Sequence, residues 1–162
     1  MTAEKSPLPL IDTVAACLAA GGFAAEREAP DENGIVALRF GVEAGSGRWI
    51  AYARCDEAQR QLVVYAVFPV DAPTEHRAAI AECLHRANRG MAIGNFEIDL
   101  DDGEVLFKTS LDLGDEVLSP GLVQALLDAN TLAMDTYFPA LMDVLYGGIA
   151  PLAALARVEQ GG

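Results

Sequence analysis

The sequence predicts an α+β domain, a mostly antiparallel sheet with helices packed on it, extending over residues 1–162 as a single unit. Three observations predict it. Several short runs alternate apolar and polar residues with period two and are joined by turns rich in Gly, Asn and Asp. Three other stretches carry apolar residues at helical spacing, each bounded by a helix start or stop signal. No composition break, repeat or linker divides the chain, whose length suits one core of ordinary size.

The elements follow in order. Leu8 to Ala20 places Leu10, Ile11, Val14 and Leu18 on one helical face, and Gly21-Gly22 stops it. Asp31-Glu32-Asn33-Gly34 is a turn signal; a strand from Ile35 to Val42 follows it and a shorter one precedes it. After Gly45-Ser46-Gly47, Arg48 to Cys55 alternates, with Trp49, Ala51 and Ala53 opposite Ile50 and Tyr52. Leu62 to Phe68 is apolar at every position, the pattern of a central strand covered above and below. Pro73 and Thr74 open a second helix that presents Ile80, Cys83, Leu84 and Ala87 and ends at Arg89-Gly90. Phe96, Ile98 and Leu100 alternate with Glu97 and Asp99, Asp102-Gly103 turns the chain, and Val105, Phe107, Thr109 and Leu111 return as the second arm of a hairpin. Ser119-Pro120 caps a long helix, expected to bury Leu122, Leu126, Ala133, Tyr137 and Leu141 and to expose Gln124, Asp128 and Asp135. Pro139 should kink or divide that helix, and residues 149–158 form a last short one.

Charge narrows the function. Twenty-four acidic side chains against 11 basic ones leave a net charge of −13, so phosphate backbones and anionic membranes are repelled and no run of basic residues counters the repulsion. Although 52% of residues are hydrophobic, the longest apolar runs fall well short of the roughly 20 residues that span a bilayer. Cys17, Cys55 and Cys83 are far apart and odd in number, which suits a reducing cytoplasm. Val14-Ala15-Ala16-Cys17 has the small-residue look of a lipoprotein cleavage site, but Glu4, Pro7, Pro9 and Asp12 interrupt the basic and apolar segments that a signal peptide needs.

No pattern reaches the density of an active site. His76 and Cys83 are seven apart on one helical face, with Glu82 nearby and His85 elsewhere, but two ligands do not make a zinc site. Asp99, Asp101, Asp102 and Glu104 fail as a calcium loop: counted from Asp99, Gly103 stands fifth and no acid stands twelfth. Gly45-Ser46-Gly47 lacks the lysine of a phosphate loop. No catalytic residue, metal or cofactor is therefore expected. A ligand sensor remains the alternative, with Trp49, Tyr52 and Tyr65 lining an apolar cleft between sheet and helices.

The run from Ala87 through Arg89-Gly90-Met91-Ala92-Ile93-Gly94-Asn95-Phe96-Glu97-Ile98-Asp99-Leu100 resembles the YbjN family of bacterial proteins. Asp102-Gly103-Glu104, Phe107-Lys108-Thr109-Ser110, Asp135-Thr136-Tyr137-Phe138-Pro139 and Tyr146-Gly147 continue the resemblance in order. It implies a fold like that of type III secretion chaperones, which are acidic homodimers that hold partner proteins, and a role in sensory regulation; no catalytic residue comes with it. The expectation is thus a cytoplasmic, homodimeric, protein-binding adaptor, regulator or chaperone-like protein. The partner surface is expected at Glu97, Asp99, Asp101, Asp102 and Glu104, within a stretch from Glu97 to Glu116 that holds a third of the acids against the single base Lys108. Such a surface suits a basic protein, including one that binds nucleic acid, while the chain itself binds none.

Overall fold

The structure, a computed structural model, describes residues 8–160. Glu4 and Pro7 of the leader argument lie outside the described residues. The elements run α1 (Leu10–Ala20), β1 (Glu26–Arg27), β2 (Val36–Glu43), β3 (Arg48–Asp56), β4 (Gln61–Val67), a 3-10 turn (Thr74–His76), α2 (Arg77–Asn88), β5 (Asn95–Ile98), β6 (Val105–Asp112), α3 (Pro120–Tyr146) and α4 (Pro151–Glu159). The strands form one sheet in the order β1-β2-β3-β4-β6-β5, every neighbouring pair antiparallel. No helix among the described residues is long and apolar enough to cross a membrane.

Alternation along the strands sorts the side chains into two faces. Leu38, Phe40, Trp49, Ala51, Ala53, Leu62, Val64, Ala66, Phe96, Val105 and Phe107 point inward and join the apolar stripes of the helices in one core. Thr109 and Asn130 are the buried polar residues of that core. The Asn130 amide donates to the carbonyls of Val64 (3.0 Å) and Phe107 (3.2 Å), and the Thr109 hydroxyl donates to the carbonyl of Leu126 (3.2 Å). These bonds tie α3 to neighbouring strands β4 and β6 at a fixed height, because a shift of one residue would turn the carbonyls away.

Several expectations need correcting. The inner face of α3 centres on Val123, Leu126, Leu127, Asn130, Met134 and Leu141, with Ala133 and Tyr137 half-buried against the same core; of the expected residues only Leu122, 41% exposed, lies off it. Asp135, assigned to the exposed face, is partly covered and accepts from the backbone N–H of Ser46 (2.7 Å), pinning the β2–β3 turn to the helix. Pro139 does not divide α3, which runs on to Tyr146. Leu100 belongs to the hairpin turn rather than to β5 and is 61% exposed. Most important, β4 is not covered on both sides: Leu62, Val64 and Ala66 face the helices, whereas Val63, Tyr65 and Val67 lie half-buried on an outer face, outside the core. A run that is apolar at every position therefore does not show that one chain covers both faces.

The β3–β4 turn contains Arg60 at φ 57°, the sole positive-φ residue other than glycine among those described. Its guanidinium donates to the carbonyls of Gly114 (3.5 Å) and Glu116 (2.9 Å), joining this turn to the segment that leads into α3.

Candidate protein-binding surfaces

The hairpin turn is built by backbone bonds before any carboxylate is considered. The Gly103 N–H donates to the Asp99 carbonyl (2.8 Å), and the Asp99 N–H donates to the Glu104 carbonyl (2.9 Å). One oxygen of Asp99 accepts from the N–H of Asp101 and one of Asp102 from the N–H of Glu104, each at 2.8 Å, the local side-chain turns that Asp favours. Arg77 anchors the whole turn: its guanidinium donates to the carbonyls of Ala72 (3.0 Å), Leu100 (3.0 Å) and Asp101 (2.9 Å). The Arg77 guanidinium is thus bound to main-chain oxygens and not to a carboxylate of the turn. Asp99, Asp101, Asp102 and Glu104 are exposed and have no ion pair among the described residues.

The five expected residues separate into two settings. Asp99, Asp101 and Asp102 form the turn, while Glu97 and Glu104 lie at the edge of the outer sheet face and help to line a depression of about 440 Å³ with Tyr52, Arg54, Tyr65, Val67 and Leu106. Glu97 is not a free acid, for it accepts hydrogen bonds from Lys108 and from the Asn95 amide (3.1 Å). Burial pushes its pKa up, but the Lys108 and Asn95 hydrogen bonds and the Lys108 charge outweigh that and hold it below the ordinary carboxylate value.

The outer face carries a pattern that the strand readings passed over. Register aligns Arg39, Tyr52, Tyr65, Lys108 and Asn95 in one row across five strands, and Gly41, Ile50, Val67, Leu106 and Glu97 in the next. Val63 stands between Arg54 and Ser110 in a third. Ile50, Tyr52, Val63, Tyr65, Val67 and Leu106 thus make a contiguous apolar middle outside the core. Gly41 leaves a notch beside it, a depression of about 650 Å³ lined by Glu43, Arg48, Ile50, Val67 and Pro69 among others. The signal was available: Val63, Tyr65 and Val67 in β4 and Ile50 and Tyr52 in β3 are apolar as well as their neighbours.

This division also removes the proposed sensor cleft. Trp49 is 3% exposed on the helix side, where its ring meets Phe138 (6.2 Å between centroids), whereas Tyr52 and Tyr65 stand on the opposite face. The three aromatics do not share a cavity. Of the chemical candidates, His76 falls in the 3-10 turn and Cys83 in the core under α2. No group of three or more His, Cys, Asp or Glu among the described residues is placed to hold a metal ion.

The thiols are governed by burial. It pushes Cys55 up to about 12 and Cys83 up to about 11, and it raises half-buried Cys17 as well. At about pH 8 all three remain protonated and weakly nucleophilic. In the native protein, Ellman's reagent is therefore expected to react slowly with Cys17 and not measurably with Cys55 or Cys83, with all three released in denaturant. Rapid release of two or more equivalents from the native state would contradict the burial seen here.

Comparison with known proteins follows the same lines. The model of the YbjN family, described as "Putative bacterial sensory transduction regulator", matches residues 10–142. Among solved structures, the chain is similar to that of YbjN from E. coli, described as "a putative transcription regulator", with a TM-score of 0.56 over 96% of this chain and 97% of that one. Identity is 12%, so this likeness is one of fold. No curated protein matches the chain.

Proposed function

The chain belongs to the YbjN family, and from that premise we propose that it is a cytoplasmic, non-enzymatic regulator that works by binding a partner protein at the acidic hairpin turn. The observation that carries this reading is the set of unpaired carboxylates, Asp99, Asp101, Asp102 and Glu104, on a turn held by Arg77 and by its own backbone bonds. Charges fixed in this way on a chain of net charge −13 attract a basic protein over distances of about a Debye length and repel nucleic acid. The partner is a basic protein, and proteins that themselves bind nucleic acid are the basic class that this surface would compete for.

The test starts from a partner recovered by pull-down from the native cytosol. Changing Asp99, Asp101 and Asp102 to Asn together should slow association about tenfold at low salt and flatten its salt dependence, because steering acts on the on-rate. An on-rate unchanged at low salt would rule the turn out as the contact surface.

A further inference from the structure

We infer that α4 is an intramolecular strap, seated in a groove between α2 and α3 that an amphipathic helix of the same pattern can take in its place. α1, α2 and α3 pack on strands, whereas α4 packs on α2 and α3. With 9 residues it falls below the roughly 12–15 at which an isolated helix becomes even marginal in water, so tertiary contacts must hold it. Those contacts are few. Ala154 and Leu155 are its buried residues, Ile149 and Val158 pack partly, and its other leucine, Leu152, is 63% exposed. Each of the other helices is hydrogen-bonded to a strand or strand turn: the Ile11 N–H donates to Glu57 (3.2 Å), the Phe96 N–H donates to Asn88 (2.6 Å), and Asn130 donates to β4 and β6. Among the described residues, α4 is bonded to the rest of the chain through side chains on α3, from Arg157 to Asp143 (2.9 Å) and from Tyr137 to Glu159 (3.2 Å). Both pairs are exposed to solvent and therefore weak. Gly147 and Gly148 join α4 to α3, and Gly148, at φ 64° with open space where a Cβ would stand, makes a free hinge.

The helix already in the groove identifies the occupant. Its seated side is Ala154, Leu155 and Val158, apolar at i, i+1 and i+4, while Arg157 reaches the acid Asp143 at the edge. A partner helix with that apolar stripe and a base beside it makes the same contacts. The tethered α4 stands at its groove at a roughly millimolar effective concentration, so a competing helix binds in proportion to the fraction of chains in which α4 is out. α4 is thus an autoinhibitory contact, which sets the affinity that a partner helix needs. The groove uses none of the carboxylates of the hairpin turn, and the inference does not rest on that surface.

The test uses the full chain and a synthetic peptide of residues 149–160, whose one base and one acid cancel. In the wild type, the amides of residues 154–159 should exchange with deuterium at least about 100-fold faster than those of β4, because α4 opens while the sheet stays folded. Leu155→Ala loosens the tethered helix and leaves the residues of α2 and α3 unaltered. The peptide should therefore bind this variant at least about tenfold more tightly than the wild type, with amide resonance shifts centred on α2 and α3. Changing Asp99, Asp101 and Asp102 to Asn should leave the peptide's affinity as it was, which separates this site from the acidic turn. Three results would each overturn the proposal: α4 amides as protected as those of β4, a peptide that binds Leu155→Ala no more tightly than it binds the wild type, or a scrambled peptide that binds equally well. Should Leu155→Ala fail to fold, Arg157→Gln decides, since it removes an exposed anchor and should tighten peptide binding about twofold.

Discussion

Gly103→Val is expected to cost at least about 3 kcal/mol of folding stability, enough to depopulate the native state of a marginal domain. Two causes act together. Gly103 has φ +90°, a backbone conformation closed to β-branched residues, and a Cβ built there would meet the carbonyl oxygen of Ala72 at 2.1 Å. The obstacle is main chain, and it cannot swing aside: the Ala72 carbonyl accepts from Arg77 and the Ala72 N–H donates to the Gly103 carbonyl (2.8 Å). Relief requires the hairpin turn to detach from the segment before α2, which exposes the buried end of β6 at Val105. Urea unfolding followed by circular dichroism measures the effect. A loss below about 1 kcal/mol would show that the turn has more freedom than the contact with Ala72 allows.

Phe107→Ala is expected to cost about 3–5 kcal/mol. The ring is fully buried on β6 and meets Phe96 of the neighbouring strand edge-on, 4.7 Å between centroids at 64°. Its edge also fills the space beside Gly94, where a Cβ would come within 2.6 Å of the ring. The size of the loss depends on whether the walls can close on the cavity. They are held apart here, because α3 is bonded to the Phe107 carbonyl itself through Asn130 and β5 is paired to β6 at this position. Denaturant midpoints for Phe107→Ala and Phe107→Leu separate the two contributions: leucine should recover more than half of the loss, and an alanine variant within about 1 kcal/mol of wild type would refute the packing described.

The sequence carried most of the layer structure, because the signals that set it are local. Ser119 caps α3 by accepting from the N–H of Leu122 (3.2 Å), as its position before Pro120 announces. The face of α3 was read correctly at Leu126, Ala133, Tyr137 and Leu141 but wrongly extended to exposed Leu122, and Asn130 was left off it. The buried stripe Val123, Leu127, Asn130, Met134 contains a polar residue at its centre, which a pattern that excludes polar residues from the core does not find. Only the carbonyls of Val64 and Phe107, distant in sequence, make an asparagine acceptable there. Pro139 was expected to kink or divide α3 and does not divide it, since a proline inside a long helix costs one hydrogen bond without ending it.

The surfaces were legible unevenly. That the 97–104 stretch is acidic is plain from the residues, and alternation correctly sends Glu97 outward. What alternation does not contain is the cross-strand neighbour. Lys108 sits diagonally from Glu97 once β5 and β6 are in register, and it removes that acid from the unpaired set. The outer face was hidden by a similar gap. Apolar residues on both sides of β4 were attributed to two covering layers of the same chain, whereas Val63, Tyr65 and Val67 lie half-buried outside its core.

Arg60 limits which residues can be exchanged at its position. The left-handed backbone there costs about 1–2 kcal/mol for a side-chain-bearing residue, a strain that its bonds to the carbonyls of Gly114 and Glu116 offset. Glycine would satisfy the backbone and lose both carbonyls, lysine would reach a carbonyl with a point charge and lose the fork, and a β-branched residue would satisfy neither. Divergence at this site is therefore coupled to the segment before α3: a lineage that gives up the arginine can relax the turn with glycine only if residues 114–116 find another donor.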